Sequence, residues 1–267
     1  MSNYLDLLAK IALEFSNESI IISLLIIGYI WINKDMFFHG VCLVLISMII
    51  NSALKATFQI PLNPSLGKEG FAFPSGHMQT SVVLYGFFYT FIKNRALKCC
   101  LLALLTMIGA SLIYFGYHDF VDVVGAVVVA LLIMFLYKNI IINRLYLKSR
   151  YLSLMQMFVV SIFLVYIKLI YSINPYVWMA YYALFGFLIA HEYCVIKLKT
   201  TTPNKLNKFL ASGLCFTCLF YLDVIFSSTS SIIELISPFR WFFMGVAVPC
   251  ALFVSNLICT RVFKVNS

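Results

Sequence analysis

Continuous apolar runs of roughly 20 residues, separated by short polar links, fill most of the chain, and runs of that length predict membrane-spanning helices. Nine are expected, over about 18–33, 36–58, 74–92, 96–117, 120–137, 151–173, 176–196, 208–228 and 239–263. Residues 4–15 (YLDLLAKIALEF) pattern as an amphipathic helix too short to span, which suits the membrane interface. The start lacks a basic n-region and a small-residue cleavage site, so no cleavable signal is expected. Strands of a porin-type barrel would alternate polar and apolar positions, and these runs do not. The fold class that follows is all-α: a polytopic transmembrane helical bundle of about nine spans.

Composition narrows the class further. Of the 267 residues, 63% are apolar and 11% charged, against about 45–50% and about 25% in soluble domains. With a mean hydropathy of +0.98, a soluble enzyme, a disordered chain and a secreted disulfide scaffold are excluded. The eight cysteines lie in apolar runs or at their ends and read as small packing residues. Cys215 and Cys218 form a CxxC inside a span with no second pair, so neither a metal site nor a structural disulfide is expected.

Charge gives the sidedness. With nine spans, only Lys10, Lys55, Lys68 and Arg240 fall on one face and Lys168 within a span, while the rest of the 19 Lys and Arg fall on the other face. That bias makes the lysine-rich face cytoplasmic. The net charge of +9 is then a topology signal that needs no nucleic-acid partner.

Three polar patches share the non-cytoplasmic face: Lys55 with the link 59–72, then Phe73-Pro74-Ser75-Gly76-His77, then residues 111–122. Ionisable groups at such bundle edges are functional candidates. Pro-Ser-Gly before a helix is a start signal, and the exposed first-turn N–H groups attract anions, phosphate above all. His77 stands in that turn, able to protonate a leaving oxygen. His118 and Asp122 are four residues apart, hence on one helical face. There the carboxylate fixes the imidazole tautomer and frees the far nitrogen to attack phosphorus. Lys55 supplies a point charge for phosphate oxygens. A nucleophile, an orienter, an acid and an anion cradle together imply phosphoryl transfer through a phosphohistidine. No metal or other cofactor is required, because carboxylates do not cluster as a hard cation would need.

These motifs resemble the type-2 phosphatidic acid phosphatase superfamily, which includes lipid phosphatases and glucose-6-phosphatase. That family carries Lys-x6-Arg-Pro, Pro-Ser-Gly-His and Ser-Arg-x5-His-x3-Asp. The second is complete as Pro74-Ser75-Gly76-His77, and the third aligns as Ser111-Leu112, then His118 and Asp122. The first aligns as Lys55, then Leu62-Asn63. The resemblance covers roughly residues 36–138, and the nine-span layout is similar to the glucose-6-phosphatase branch. It implies His118 as nucleophile, Asp122 as its orienter, His77 as acid, and Lys55, Ser75 and Gly76 as phosphate ligands. A membrane lipid phosphate is the expected partner. Three units are expected: an interfacial segment 1–17, a catalytic core 18–150 and four further helices 151–267.

Both family arginines are leucines here, Leu62 and Leu112. Two unreplaced charged hydrogen bonds would cost about 3–6 kcal/mol, or roughly two to four decades in rate. Lys168, Arg240 and Lys68 are candidate substitute cations. A singly charged phosphodiester, as in the mechanistically similar sphingomyelin synthases, needs fewer cations. A binding protein or carrier on a degenerate scaffold is the third reading. Elsewhere, Asp223 is expected to pair with Lys168 or Arg240 and link the added helices. His39 reads as interfacial, and His191 and Glu192 as a boundary pair.

Overall fold

The computed structural model describes residues 2–67, 69–144, 149–198, 204–227 and 233–264. Among them it contains ten α-helices: α1 (Ser2–Glu14), α2 (Glu18–Ile27), α3 (Lys34–Phe58), α4 (Gly76–Phe91), α5 (Arg95–Tyr114), α6 (Phe120–Ile140), α7 (Ser149–Ile170), α8 (Pro175–Leu198), α9 (Lys205–Ser227) and α10 (Ile233–Lys264). A π-helical turn, Gly28–Ile32, continues α2. The fold is an all-α polytopic bundle, and each apolar run read from the sequence is one of these helices.

Six helical stretches among the described residues are long and apolar enough to cross a bilayer: Lys34–Phe58, Arg95–Tyr114, Phe120–Ile140, Arg150–Ile170, Lys205–Phe226 and Phe239–Arg261. A seventh arises if Tyr4–Glu14 and Glu18–Ile32 count as one span bent by 51°. α4 has 16 residues, a rise of about 24 Å against a hydrocarbon core of about 30 Å.

α3 is central. It packs on α4 and α6 on one side and on α7 and α8 on the other, so the helices after residue 149 join the motif-bearing half through it. Leu43, Ile49, Val83, Leu84, Ile108 and Leu112 are fully or almost fully buried, and burying a Leu or Ile side chain contributes about 1.5–3 kcal/mol where water is the reference. In lipid the drive is close packing instead. α8 and α10 illustrate it: a Cβ on Gly186 would stand 2.1 Å from the Phe242 carbonyl oxygen, and one on Gly245 2.2 Å from that of Ala183. Only glycine lets the two backbones approach so closely.

α1 lies along α5. Tyr114 donates to the Asp6 carboxylate at 2.7 Å, and Tyr85 donates to the Phe15 carbonyl at 2.7 Å where the helix breaks. Arg240 on α10 is paired with Asp223 on α9, which is the link between added helices that their charges suggested.

At the end of the bundle that carries Asn33, His191 and Glu192 do not act together. His191 is buried, bonded to the Tyr29 hydroxyl at 2.8 Å and stacked on Phe38 at 3.9 Å. Glu192 accepts from Ser153 on α7 at 3.0 Å. Successive residues on a helix point about 100° apart, so neighbours in sequence meet different helices. His39 likewise bonds to the Tyr137 hydroxyl of α6 at 3.0 Å. The eight cysteines are free thiols.

Candidate active site

The site is assembled from one end of α3, α4, α5 and α6. α5 stops at Gly116, whose φ of +67° suits glycine. Gly116 N–H bonds to Ile113 O at 2.9 Å and Tyr117 N–H to Leu112 O at 3.0 Å, the paired bonds of a Schellman stop. The His118 amide reaches the same Leu112 carbonyl at 3.3 Å, so the stop itself presents His118. α6 then starts at once, with Asp119 at its N-cap and Asp122 in its first turn.

Asp122 is buried among these turns. Its Oδ2 faces His118 Nδ1 at 3.2 Å and accepts the Asp119 amide, also at 3.2 Å. The side chains of His118 and Asp122 are each only 8% exposed, so little water competes for the pair. With Nδ1 facing a carboxylate, the proton belongs on Nδ1, and Nε2 keeps its lone pair. Burial pushes the His118 imidazole below its ordinary value of 6.5, and the Lys55 charge acts in the same direction. The Asp122 and Asp119 carboxylates oppose this shift without cancelling it.

The Pro74-Ser75-Gly76-His77 turn meets this pair through the main chain. Ser75 N–H donates to the Asp122 carbonyl at 3.2 Å. Ser75 is fully buried and caps α4, its Oγ accepting the Met78 amide at 3.4 Å. Gly76 and His77 open the helix, and His77 is exposed there. The ring of Phe73 lies against Gly125 of α6, where a Cβ would come within 2.3 Å of it. Glycine at that position lets α6 and the turn close together.

Lys55 sits one turn from the end of α3, near enough to His118 and Asp122 to act on them electrostatically. Its Nζ donates to the Phe71 carbonyl at 2.7 Å. That carbonyl belongs to a small hairpin over 59–72, closed by the bridge Pro61–Phe71, by Ala72 N–H to Ile60 O at 2.7 Å and by Leu62 N–H to Gly70 O at 3.0 Å. α7 braces it: the Phe71 ring packs edge-on against Tyr171 at 5.1 Å, and Thr57 is bonded to Tyr166 at 2.9 Å.

Sequence reasoning missed Asn51, Gln79 and Ser47, which tie α3 to the Pro74 turn from below. Single polar residues inside apolar runs, with no motif spacing, gave no signal. Among the described residues no group of three or more His, Cys, Asp or Glu is placed to hold a metal ion.

Residues 36–146 match the family model of the PAP2 superfamily. No curated protein and no solved structure matched the chain.

Within the matched segment, Leu62 and Leu112 supply no charge. Leu112 is packed in the core at 1% exposure, and Leu62 lies in the hairpin. Of the candidate substitutes, Arg240 is engaged by Asp223 and packs over the Trp241 ring at 4.9 Å. Lys168 is exposed on α7 without an ion pair among the described residues. Lys68 lies outside the described residues. Among the described residues, Lys55 is the cation whose charge acts on His118.

Proposed function

We propose that the protein is an integral membrane phosphoric-ester hydrolase or phosphotransferase acting on a lipid phosphate through a phosphohistidine. The observation that carries this is the shielded His118–Asp122 pair, bonded through the main chain to a Ser-Gly-His helix start and flanked by Lys55. In the first step Nε2 of His118 attacks phosphorus and the bond to the ester oxygen breaks. His77 gives its proton to the departing alkoxide. The Gly76 amide, Ser75 and Lys55 hold the phosphoryl oxygens as charge builds. In the second step water or an acceptor alcohol attacks the phosphohistidine while neutral His77 takes its proton, which returns both imidazoles to their starting state. Read with nine spans, the lysine bias of the sequence supports the non-cytoplasmic leaflet, where a headgroup is presented, as the place of this chemistry. The lipid bilayer is then both solvent and substrate store.

A phosphodiester substrate is the second reading. Among the described residues it is favoured by Lys55 as the cation acting on His118 and by the packing of Leu112 in the core, since a diester carries one negative charge rather than two. The two are separated by assay of the purified protein in detergent. A monoesterase releases inorganic phosphate from phosphatidate or a prenyl pyrophosphate. A diester transferase instead releases a phosphorylated alcohol or moves it to an acceptor lipid. Absence of turnover on both substrate classes would leave the scaffold as a binding protein.

The titration of His118 gives the pH dependence a sign. Only the neutral imidazole attacks, and its proton affinity lies below 6.5. kcat/KM is therefore expected to hold near neutrality and to fall as pH drops through a point below 6.5. Lys55→Met removes a charge that lowers the His118 pKa, so the acid limb should move to higher pH. Comparing both proteins on one substrate cancels the substrate's own ionisation. A limb that ignores Lys55→Met would mean that another group is titrating.

A further inference from the structure

Beneath the Pro74 turn, three polar side chains interrupt the apolar packing of α3 against α4. Ser47 and Gln79 are fully buried, and Asn51 is 7% exposed. Gln79 Nε2 donates to the Ser47 carbonyl at 3.0 Å and to its hydroxyl at 2.9 Å. Gln79 Oε1 accepts from Asn51 Nδ2 at 2.9 Å, and the same Nδ2 donates to the Pro74 carbonyl at 3.2 Å. Both amide NH2 groups therefore have both protons in use, with donation running from Asn51 through Gln79 to Ser47 on one side and from Asn51 to Pro74 on the other. Buried amides cost free energy unless bonded, and apolar residues of that size would pack with no such demand.

The end of that chain is informative. The Pro74–Ser75 peptide is gripped at both polar ends: its oxygen by Asn51 of α3, and its N–H by the Asp122 carbonyl of α6 at 3.2 Å. The plane of this peptide sets the direction of the next amides, those of Gly76 and His77, at the start of α4. Asn51 Oδ1 also fills the space below Gly76, 3.3 Å from where a Cβ would stand. We propose that Asn51, backed by Gln79 and Ser47, is a positioning residue for phosphoryl transfer: it fixes the tilt of the Pro74–Ser75 peptide and thereby aims the helix-start amides at the phosphoryl oxygens. This rests on the phosphotransfer reading above. A misplacement of about 1 Å in such a cradle costs roughly a hundredfold in rate.

The test uses the full-length protein in detergent with the substrate it turns over, orthovanadate as a probe of the pentacoordinate phosphoryl geometry, and melting temperature as the folding control. Asn51→Leu is expected to lower kcat about ten- to a hundredfold and to raise the vanadate inhibition constant in proportion. KM should stay within about threefold, because the interaction lost belongs to the transition state. The acid limb of the pH profile, set by His118, should not move. Gln79→Leu should shift kcat and vanadate affinity in the same direction by less. The double variant should be no worse than Asn51→Leu alone, because Gln79 acts through Asn51. Asn51→Asp, which keeps the size but loses the donors, should behave as Asn51→Leu does. If Asn51→Leu does not fold, Gln79→Leu and Asn51→Asp decide the question. Wild-type kcat and vanadate affinity in the folded variants, or losses that multiply in the double variant, would overturn the inference alone. A wild-type protein that turns over no phosphate ester would overturn the phosphotransfer reading and this inference with it.

Discussion

Replacing His118 with alanine is expected to reduce phosphoryl transfer by at least about 10⁴-fold and to leave the bundle folded. The expectation follows from what the side chain touches. Its Nδ1 is held by Asp122 at 3.2 Å. The His118 amide bond to Leu112 belongs to the main chain and survives the substitution. Asp122 keeps the Asp119 amide, so the stability cost is about 1–2 kcal/mol, that of one lost partner of a buried charged group. The measurement is turnover of the active substrate beside a thermal melt. A phosphate-labelled substrate quenched during turnover should also leave label on the wild-type protein and none on the variant. A folded His118→Ala protein with turnover within tenfold of wild type would remove the phosphohistidine from consideration.

Asp122→Asn tests the orienter and should cost about 10³–10⁴-fold in kcat, the scale set by losing the correct tautomer in an Asp–His pair. Asparagine keeps the shape, but one oxygen, Oδ2, serves both His118 Nδ1 and the Asp119 amide, so an NH2 at that position also costs α6 its bond to the Asp119 amide. That NH2 then faces His118 Nδ1 and can only donate to it. The imidazole proton moves to Nε2, the atom that must attack. KM should change little, because Asp122 does not touch the substrate. A fall in KM affinity with unchanged kcat would assign Asp122 to binding instead.

Much of this was legible in the sequence, for reasons that differ by residue. The helices follow from length and apolarity alone, as the match between the run 120–137 and α6 illustrates. The Pro74–His77 turn was legible because a helix start has local chemistry, and Ser75, read from the sequence as a phosphate ligand, is its cap. The His118–Asp122 bond follows from i, i+4 geometry. The Asp223–Arg240 pair was legible because isolated charges in lipid must find each other. What stayed hidden depends on tertiary approach. Lys55 was assigned to phosphate by its spacing, yet its Nζ also holds the Phe71 carbonyl, which only the hairpin brings within 2.7 Å. Asn51 and Gln79 are far apart in sequence and meet only because α3 crosses α4. The separate partners of His191 and Glu192 were obscured by their adjacency.

The bond from Ser75 N–H to the Asp122 carbonyl has a mechanical corollary. It ties the tip of α4 to the tip of α6, so on the phosphotransfer reading His77 and His118 are coupled through the main chain. The hairpin closed by the Pro61–Phe71 bridge is held separately. Its anchors are the α3 ammonium on Phe71 and the tyrosine edge supplied by α7. The motif-free half of the chain thus helps to hold the hairpin, while the Pro74 turn and α6 are tied within the motif-bearing half.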